Sequence, residues 1–132
     1  MGLDAWFIAS EKEFKTDPKD AGAIVPVDEE SSKNTIEIGY FRKFHSLQDY
    51  MENLYIEREG QDIFNCKKLL LDETDLKDIL VSAIAGTFTE KMFVQHSIYY
   101  NSIYYKTELL IIVHSALQLL KDGFTVYYDS WW

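Results

Sequence analysis

The last fifth of the chain carries the strongest hydrophobic pattern in the sequence. Between Leu109 and Leu120, apolar residues occupy most of the helix circumference, which is typical of a helix buried in a core. Gly123 then supplies the left-handed position that commonly ends a helix. Aromatic and β-branched residues dominate from Phe124 to Trp132 and predict a strand. We therefore expect a buried helix followed directly by a C-terminal strand.

Alternation of apolar and polar residues predicts two further strands, and a short apolar run suggests a third. Leu3 to Ala9 and Thr35 to Phe41 alternate with a period of two, and Gly39 indicates a bulge or a close approach within the second of them. Lys67 to Leu71 is a shorter candidate. Because the first of these strands starts so near Met1, we expect it to pair inside the sheet.

Helical spacing predicts two more helices. One runs from about Leu47 to Arg58, with Ser46-Leu-Gln-Asp49 as a capping box and Gly60 as its stop. The other begins after Asp72 as N-cap and ends at Gly86. The mixture of strands and helices has no regular strand–helix–strand repeat. It favours a single α+β domain over residues 1–132, with a mainly antiparallel sheet of about four strands, three helices and the C-terminal helix most buried. A doubly wound α/β fold is the weaker alternative.

Two segments lack a regular pattern. Ser10 to Asn34 is charged and predicts a long acidic loop, although so long a structureless loop is unusual in a compact domain. Either Ile24 to Val27 forms a short edge strand, as Pro26 would require, or the segment is mobile and contacts a partner. Thr87 to Lys106 contains two Ser-Ile-Tyr-Tyr units five residues apart, so we expect an aromatic loop with at most one helical turn.

The charge of the chain changes the expected partners. The formal net charge of −9 over 132 residues opposes direct binding to nucleic acid or to an anionic membrane and favours basic partners. Solubility alone is the simpler explanation of that charge. Cys66 is the single cysteine, which excludes an internal disulfide and indicates a reducing compartment, the cytoplasm. We expect no signal peptide and no membrane span.

Three blocks resemble a family of small, uncharacterised bacteriophage and prophage proteins. The chain begins Met-Gly-Leu-Asp4, carries Glu37-Ile-Gly-Tyr-Phe-Arg-Lys43 and ends Tyr127-Tyr-Asp-Ser-Trp-Trp132. It departs from the family pattern at Ala5, where Met is common, and at Phe41, where Trp is common. The resemblance implies an origin and no activity. Small acidic phage proteins include inhibitors of host defence, some of which mimic nucleic acid, so an anti-CRISPR-like role in the bacterial cytoplasm is the class-level expectation.

Aromatic side chains are the leading candidates for partner binding. Neighbouring residues of a strand face opposite sides, so one residue of each pair Tyr127-Tyr128 and Trp131-Trp132 must face outward. Exposed Tyr and Trp are typical interface anchors. Carboxylates of the acidic loop could in addition mimic phosphate, with solvation as the simpler alternative. The candidate partner-binding residues are Tyr99, Tyr100, Tyr104, Tyr128, Trp131, Trp132, Asp28, Glu29 and Glu30.

Arg42, Lys43 and His45 form a candidate anion-binding corner after the second strand, with simple solvation as the alternative. The three histidines are too far apart in sequence for a local metal site, and we expect no cofactor. We interpret His114 as a core histidine and Cys66 as a packed small apolar residue.

These observations favour a non-enzymatic accessory protein that binds a host protein. The alternatives are a small ligand-binding or nucleotide-binding domain or enzyme that uses Arg42, His45 and His96, and a homodimer formed through the aromatic strand.

Overall fold

The computed structural model describes residues 2–28, 33–88 and 98–132, with the side chains of the last range described from residue 104 onward. Within these ranges the chain forms six strands and three helices. They are β1 (Asp4–Ser10), β2 (Phe14–Asp17), β3 (Asp20–Pro26), β4 (Thr35–Arg42), α1 (His45–Glu57), β5 (Leu69–Leu70), α2 (Glu73–Ile84), α3 (Ile98–Lys121) and β6 (Thr125–Trp131).

Strand β1 lies at the centre of the main sheet. The strand order is β4-β1-β6-β5, and every pairing in it is antiparallel. Ala5, Phe7 and Ala9 alternate along β1 and are completely buried on the face that carries the helices. The predicted α+β class, with a mainly antiparallel four-stranded sheet and three helices, is therefore confirmed.

Helix α3 packs across β1, β4 and β6, and α2 packs on α3. The buried side chains of α3 are Leu109, Ile112, Val113 and Ala116. Ile111 of the same helix is 55% exposed, so the apolar surface of α3 is wider than the face that it buries. None of the helices in the described ranges has the length and hydrophobicity needed to cross a bilayer.

Gly39 permits the close contact between β4 and α3. A Cβ atom at this position would lie 2.1 Å from Cδ1 of Ile112, a distance that real contacts do not reach. The β1–β4 register also shifts between Phe7 and Ile8, which places a bulge next to Gly39. Gly39 thus lies both at a bulge and at a close approach between elements, the two alternatives that the sequence predicted.

Each of α1, α2 and α3 ends in the same hydrogen-bonding pattern, the Schellman motif. After α2 and α3 the left-handed position is glycine, Gly86 at φ 81° and Gly123 at φ 93°. After α1 it is Glu59 at φ 68°, and Gly60 follows it with its N–H bonded to the Tyr55 carbonyl at 2.9 Å. Gly60 is required for a different reason, because a Cβ atom there would lie 2.4 Å from the Tyr55 ring.

Helix α1 begins at His45, before the predicted capping box at Ser46. Its N-cap is Phe44, whose apolar side chain forms no capping hydrogen bond. The Phe44 ring is completely buried and stacks on Tyr105, with ring centroids 4.5 Å apart. Packing of this ring at the N-cap position marks the start of α1, and a capping-box pattern in the sequence cannot reveal it. Asp72 is the N-cap of α2, as predicted, and it forms a capping box with Asp75.

The segment predicted as a long acidic loop, residues 10–34, instead contains the β2–β3 hairpin. The edge-strand alternative was thus correct in kind, although β3 is longer than predicted and ends at Pro26. Ile24 donates its N–H to the Lys68 carbonyl at 2.9 Å, which joins β3 to the β5 side of the main sheet. Backbone hydrogen bonds between distant segments stabilise these strands, and the local sequence pattern does not reveal them.

The aromatic loop predicted over residues 87–106 is also wrong in its second half, because α3 begins at Ile98. Tyr105, Leu109, Ile112 and Ala116 are spaced four, three and four residues apart, which is the spacing of one helix face. Tyr105 therefore belongs to the same buried stripe as the core of α3. The five-residue repeat of Ser-Ile-Tyr-Tyr conceals this helical spacing.

Candidate functional site

Strand register gathers half-buried and exposed aromatic side chains on the sheet face opposite the helices. Directly paired residues of antiparallel strands share a face. The pairings are Asp4 with Arg42 and Trp131, and Trp6 with Tyr40 and Asp129. Together with the adjacent Trp132, the residues Asp4, Trp6, Tyr40, Arg42 and Trp131 form what we term the aromatic corner.

A cavity of about 620 Å³ opens at the aromatic corner and is lined by Asp4, Tyr40, Arg42, Trp131 and Trp132, together with Gly2. The rings of Trp6 and Tyr40 lie 5.6 Å apart. The Tyr40 hydroxyl donates a hydrogen bond to the Asp4 carboxylate, and this bond raises the pKa of Tyr40. The phenol therefore stays protonated and acts as a donor at physiological pH.

The two C-terminal tryptophans are both exposed, Trp131 to 60% and Trp132 to 45%. Trp132 is nevertheless held by hydrogen bonds. Its indole Nε1–H donates to the Phe64 carbonyl at 2.9 Å, its backbone N–H donates to Oδ1 of Asn65 at 3.0 Å, and Nδ2 of Asn65 donates to its carbonyl at 3.0 Å. The indole is thus positioned before any partner binds.

Trp132 also lines a cavity of about 240 Å³ between the end of the sheet and the start of α1. The other lining residues are Leu3, His45, Gln48, Asp49 and Glu52. Below this cavity, Gln48 accepts a hydrogen bond from the Tyr128 hydroxyl at 2.6 Å and donates to the Phe64 carbonyl at 3.3 Å. These buried bonds fix the floor of the cavity. No three His, Cys, Asp or Glu side chains within the described residues are placed to hold a metal ion.

Tyr128 is completely buried, so the prediction that it binds a partner is wrong. Its register opposite Phe7 places it on the helix-bearing face of the sheet, where burial strongly raises its pKa. Tyr127 lies on the opposite face, as the alternation requires, but it is also buried. Phe14 of β2 covers its ring at a centroid distance of 5.3 Å, and Nζ of Lys68 lies 5.9 Å from the ring centroid.

The remaining candidate partner-binding residues do not all lie at the aromatic corner. Tyr104 is 48% exposed and contacts Tyr105, whose hydroxyl donates to the Arg42 carbonyl at 2.6 Å. Asp28 is exposed and lines a separate cavity of about 200 Å³ with Glu13, Val27 and Lys33. The side chains of Tyr99, Tyr100, Glu29 and Glu30 lie outside the described residues, and so does His96.

The candidate anion-binding residues are divided between two cavities. Arg42 lies beside Asp4 at the aromatic corner, whereas His45 shares the α1 cavity with Asp49 and Glu52. Lys43 is exposed in the turn between them, with a left-handed backbone at φ 60°. Each cavity thus contains carboxylates, which oppose the binding of an anion.

Two minor predictions are corrected. His114 is exposed on α3 rather than buried in the core, because it follows Val113 on the outward side of the helix. Cys66 is exposed as well, with its Sγ atom 3.6 Å from Oδ1 of Asn65.

Sequence reasoning did not select Asp4, Trp6 or Tyr40, nor the pair Asp49 and Glu52. The alternation of β1 does place Asp4 and Trp6 on one face. Only the pairing of β1 with β4 and β6 brings them next to Tyr40 and Trp131, and the sequence pattern does not specify that pairing.

No protein-family model matches this chain, and neither a curated protein nor a solved structure is significantly similar to it.

Proposed function

We propose that this protein is a non-enzymatic phage or prophage accessory protein that binds another protein through the aromatic corner. The observation that carries the proposal is the clustering of Tyr40, Trp131 and Trp132 around an open cavity, with Trp6 packed beside Tyr40, on a sheet face that the helices leave uncovered. The phage origin, and with it the inhibition of a host defence system in the bacterial cytoplasm, is supported by the sequence resemblance alone.

The exposed tryptophans have the properties of interface anchors. Tryptophan is the residue type that most often dominates binding energy when it becomes buried at the centre of an interface. Trp132 is already fixed by its bonds to Phe64 and Asn65, so little side-chain freedom is lost on binding. A partner that fills the 620 Å³ cavity would bury the Trp131 and Tyr40 side chains together.

The charge of the chain supports a basic protein surface as the partner. A net charge of −9 steers positively charged proteins toward the molecule and repels nucleic acid. Asp4 contributes a carboxylate at the aromatic corner itself. Direct binding to nucleic acid is therefore not part of the proposal.

The proposal is tested by affinity purification from a bacterial lysate with two matched variants. Trp131→Ala removes the most exposed aromatic ring of the corner, whereas Ile84→Ala removes a side chain of α2 that is equally exposed at 61%. We expect the wild-type protein and Ile84→Ala to recover the same partner, and Trp131→Ala to recover about tenfold less, as for a truncated hot spot. Equal recovery by Trp131→Ala would refute the proposal.

Light scattering across a dilution series separates this function from homodimerisation. If the aromatic corner serves self-association, the wild-type protein dissociates on dilution and Trp131→Ala is monomeric throughout. The alternative of a small-ligand domain has less support, because Arg42 and His45 lie in different cavities.

A further inference from the structure

We infer that the α1 cavity, between Trp132 and the first turns of α1, receives an arginine side chain of the protein partner. The inference rests on the protein-binding function proposed above and adds the chemistry of the group that the partner presents.

The size of the α1 cavity suits one side chain. Its volume is about 240 Å³, below the roughly 300–1,000 Å³ of typical small-molecule sites. Leu3 and Trp132 supply apolar walls, Asp49 and Glu52 supply carboxylate oxygens, and His45 and Gln48 complete the lining. A side chain with an apolar stem and a positively charged end would place the stem against the apolar walls and the charge against the oxygen atoms.

The charges of the α1 cavity favour a cation as the occupant. Asp49 and Glu52 lie three residues apart on α1 and so project from the same side of the helix. Neither carboxylate forms an ion pair with any side chain that the structure describes. Among the residues that the structure describes, the lining contains no Lys or Arg, and α1 has none along its length. His45, which also lines the cavity, forms no ion pair with either carboxylate. An incoming cation therefore meets two carboxylates without displacing an internal partner.

Trp132 makes arginine a better occupant than lysine. A guanidinium group is planar, stacks on an indole face and can bond two carboxylates through separate N–H groups. A lysine ammonium group is more strongly hydrated and bonds as a point charge. The hydrogen bonds of Trp132 to Phe64 and Asn65 hold the indole in place for this stacking.

The inference is tested without the partner, by NMR titration with capped amino acids. The three indole N–H signals, from Trp6, Trp131 and Trp132, are assigned with Trp→Phe variants. N-acetyl-arginine N-methylamide is then titrated, with the lysine analogue and the neutral citrulline analogue as comparisons. We expect the arginine probe to bind with a dissociation constant of about 1 mM and to shift the Trp132 signal most. The lysine probe should bind several-fold more weakly, and the citrulline probe about tenfold more weakly.

The double variant Asp49→Asn/Glu52→Gln should weaken binding of the arginine probe about tenfold. The matched control is Glu57→Gln/Asp78→Asn, which neutralises two exposed carboxylates at a different groove and should leave binding unchanged. Equal binding of the citrulline or lysine probe to the wild-type protein, or unchanged binding by the first double variant, would overturn the inference. The comparison of probes on the wild-type protein stands even if the double variant does not fold.

The two proposals fail in different ways. Loss of probe binding has no bearing on whether Trp131→Ala still recovers a partner. Conversely, unchanged partner recovery by Trp131→Ala refutes the role of the aromatic corner, whatever the probe does in the α1 cavity.

Discussion

Replacement of Tyr55 by Phe tests how the β2–β3 hairpin is attached to the rest of the fold. Asp20 of β3 is only 5% exposed. Its carboxylate accepts hydrogen bonds from the Tyr55 hydroxyl at 2.5 Å and from the Gly22 N–H at 3.2 Å, and Nζ of Lys67 lies 3.4 Å away. The same hydroxyl accepts the Asp62 N–H at 2.9 Å. Tyr55→Phe removes this hydroxyl and keeps the ring that packs against Gly22 and Gly60.

We expect Tyr55→Phe to lower the free energy of unfolding by about 2–3 kcal/mol, because a hydrogen bond to a buried charged group is lost. For a domain of this size the melting temperature falls by about 4 °C per kcal/mol, which gives a decrease of about 8–12 °C. The larger part of the loss is the penalty for leaving the Asp20 carboxylate with fewer partners in a buried position.

The stability that Tyr55→Phe removes should depend on pH in a defined direction. Burial alone would raise the pKa of Asp20, but the hydrogen bonds from Tyr55, Gly22 and Lys67 outweigh it and hold the pKa below its usual value of 3.8. A lowered pKa in the folded state stabilises the protein above the unfolded-state pKa, and this stability is lost as the pH falls through the folded-state pKa. Burial and the bond to Asp20 raise the pKa of Tyr55, which stays protonated below neutral pH. The difference between wild type and Tyr55→Phe should therefore be largest near neutral pH and shrink below about pH 4.

Urea unfolding followed by circular dichroism at several pH values measures both the loss of unfolding free energy and its dependence on pH. Tyr104→Phe is the matched control, because it deletes the hydroxyl of an exposed tyrosine and should change stability by less than about 0.5 kcal/mol. If Tyr55→Phe costs no more than this control near neutral pH, or if its effect grows in acid, the attachment of the hairpin through Asp20 is refuted.

Three further substitutions test other parts of the fold by the same unfolding measurement. Glu59→Gly should stabilise the protein by about 0.5–1 kcal/mol, because glycine adopts the left-handed φ of 68° without steric cost; no gain would contradict the end assigned to α1. Gly39→Ala should cost about 1–3 kcal/mol through its clash with Ile112, and combination with Ile112→Val should recover part of the loss; strictly additive effects would contradict the contact. Ser130→Ala should raise stability by about 1 kcal/mol, since the buried Ser130 hydroxyl has no hydrogen-bond partner among the described residues; destabilisation would indicate one.

Elements with a regular period could be predicted from the sequence. The alternation of β1 and β4 and the apolar face of α2 are local properties, and the structure places these elements within a few residues of their predicted bounds. Glycines that need a left-handed conformation, Gly86 and Gly123, were equally recognisable. In each case the physical cause lies within one element.

Features that depend on contacts between distant segments could not be predicted. Phe14 covers Tyr127 from the other end of the chain, so alternation correctly separated Tyr127 from Tyr128 but could not show that both are buried. Phe44 replaces a polar cap at α1 through its contact with Tyr105. A local pattern carries no information about these partners.

The candidate site was predicted in part for the same reason. Trp131 and Trp132 were selected because aromatic residues on a terminal strand cannot all face one core. Trp6 and Tyr40 were missed because neither stands out within its own strand. Only the pairing of β1 with β4 and β6 gathers them with Trp131 into one surface.

Site-specific photo-cross-linking in the bacterial host tests the central claim, that the aromatic corner is the partner-binding surface. Benzoylphenylalanine replaces Trp131 in one sample and Ile84 of α2 in the other, two positions of nearly equal exposure. We predict a discrete cross-linked protein from position 131 and none from position 84. A discrete adduct from position 84, with none from position 131, would place the binding surface elsewhere and contradict the account.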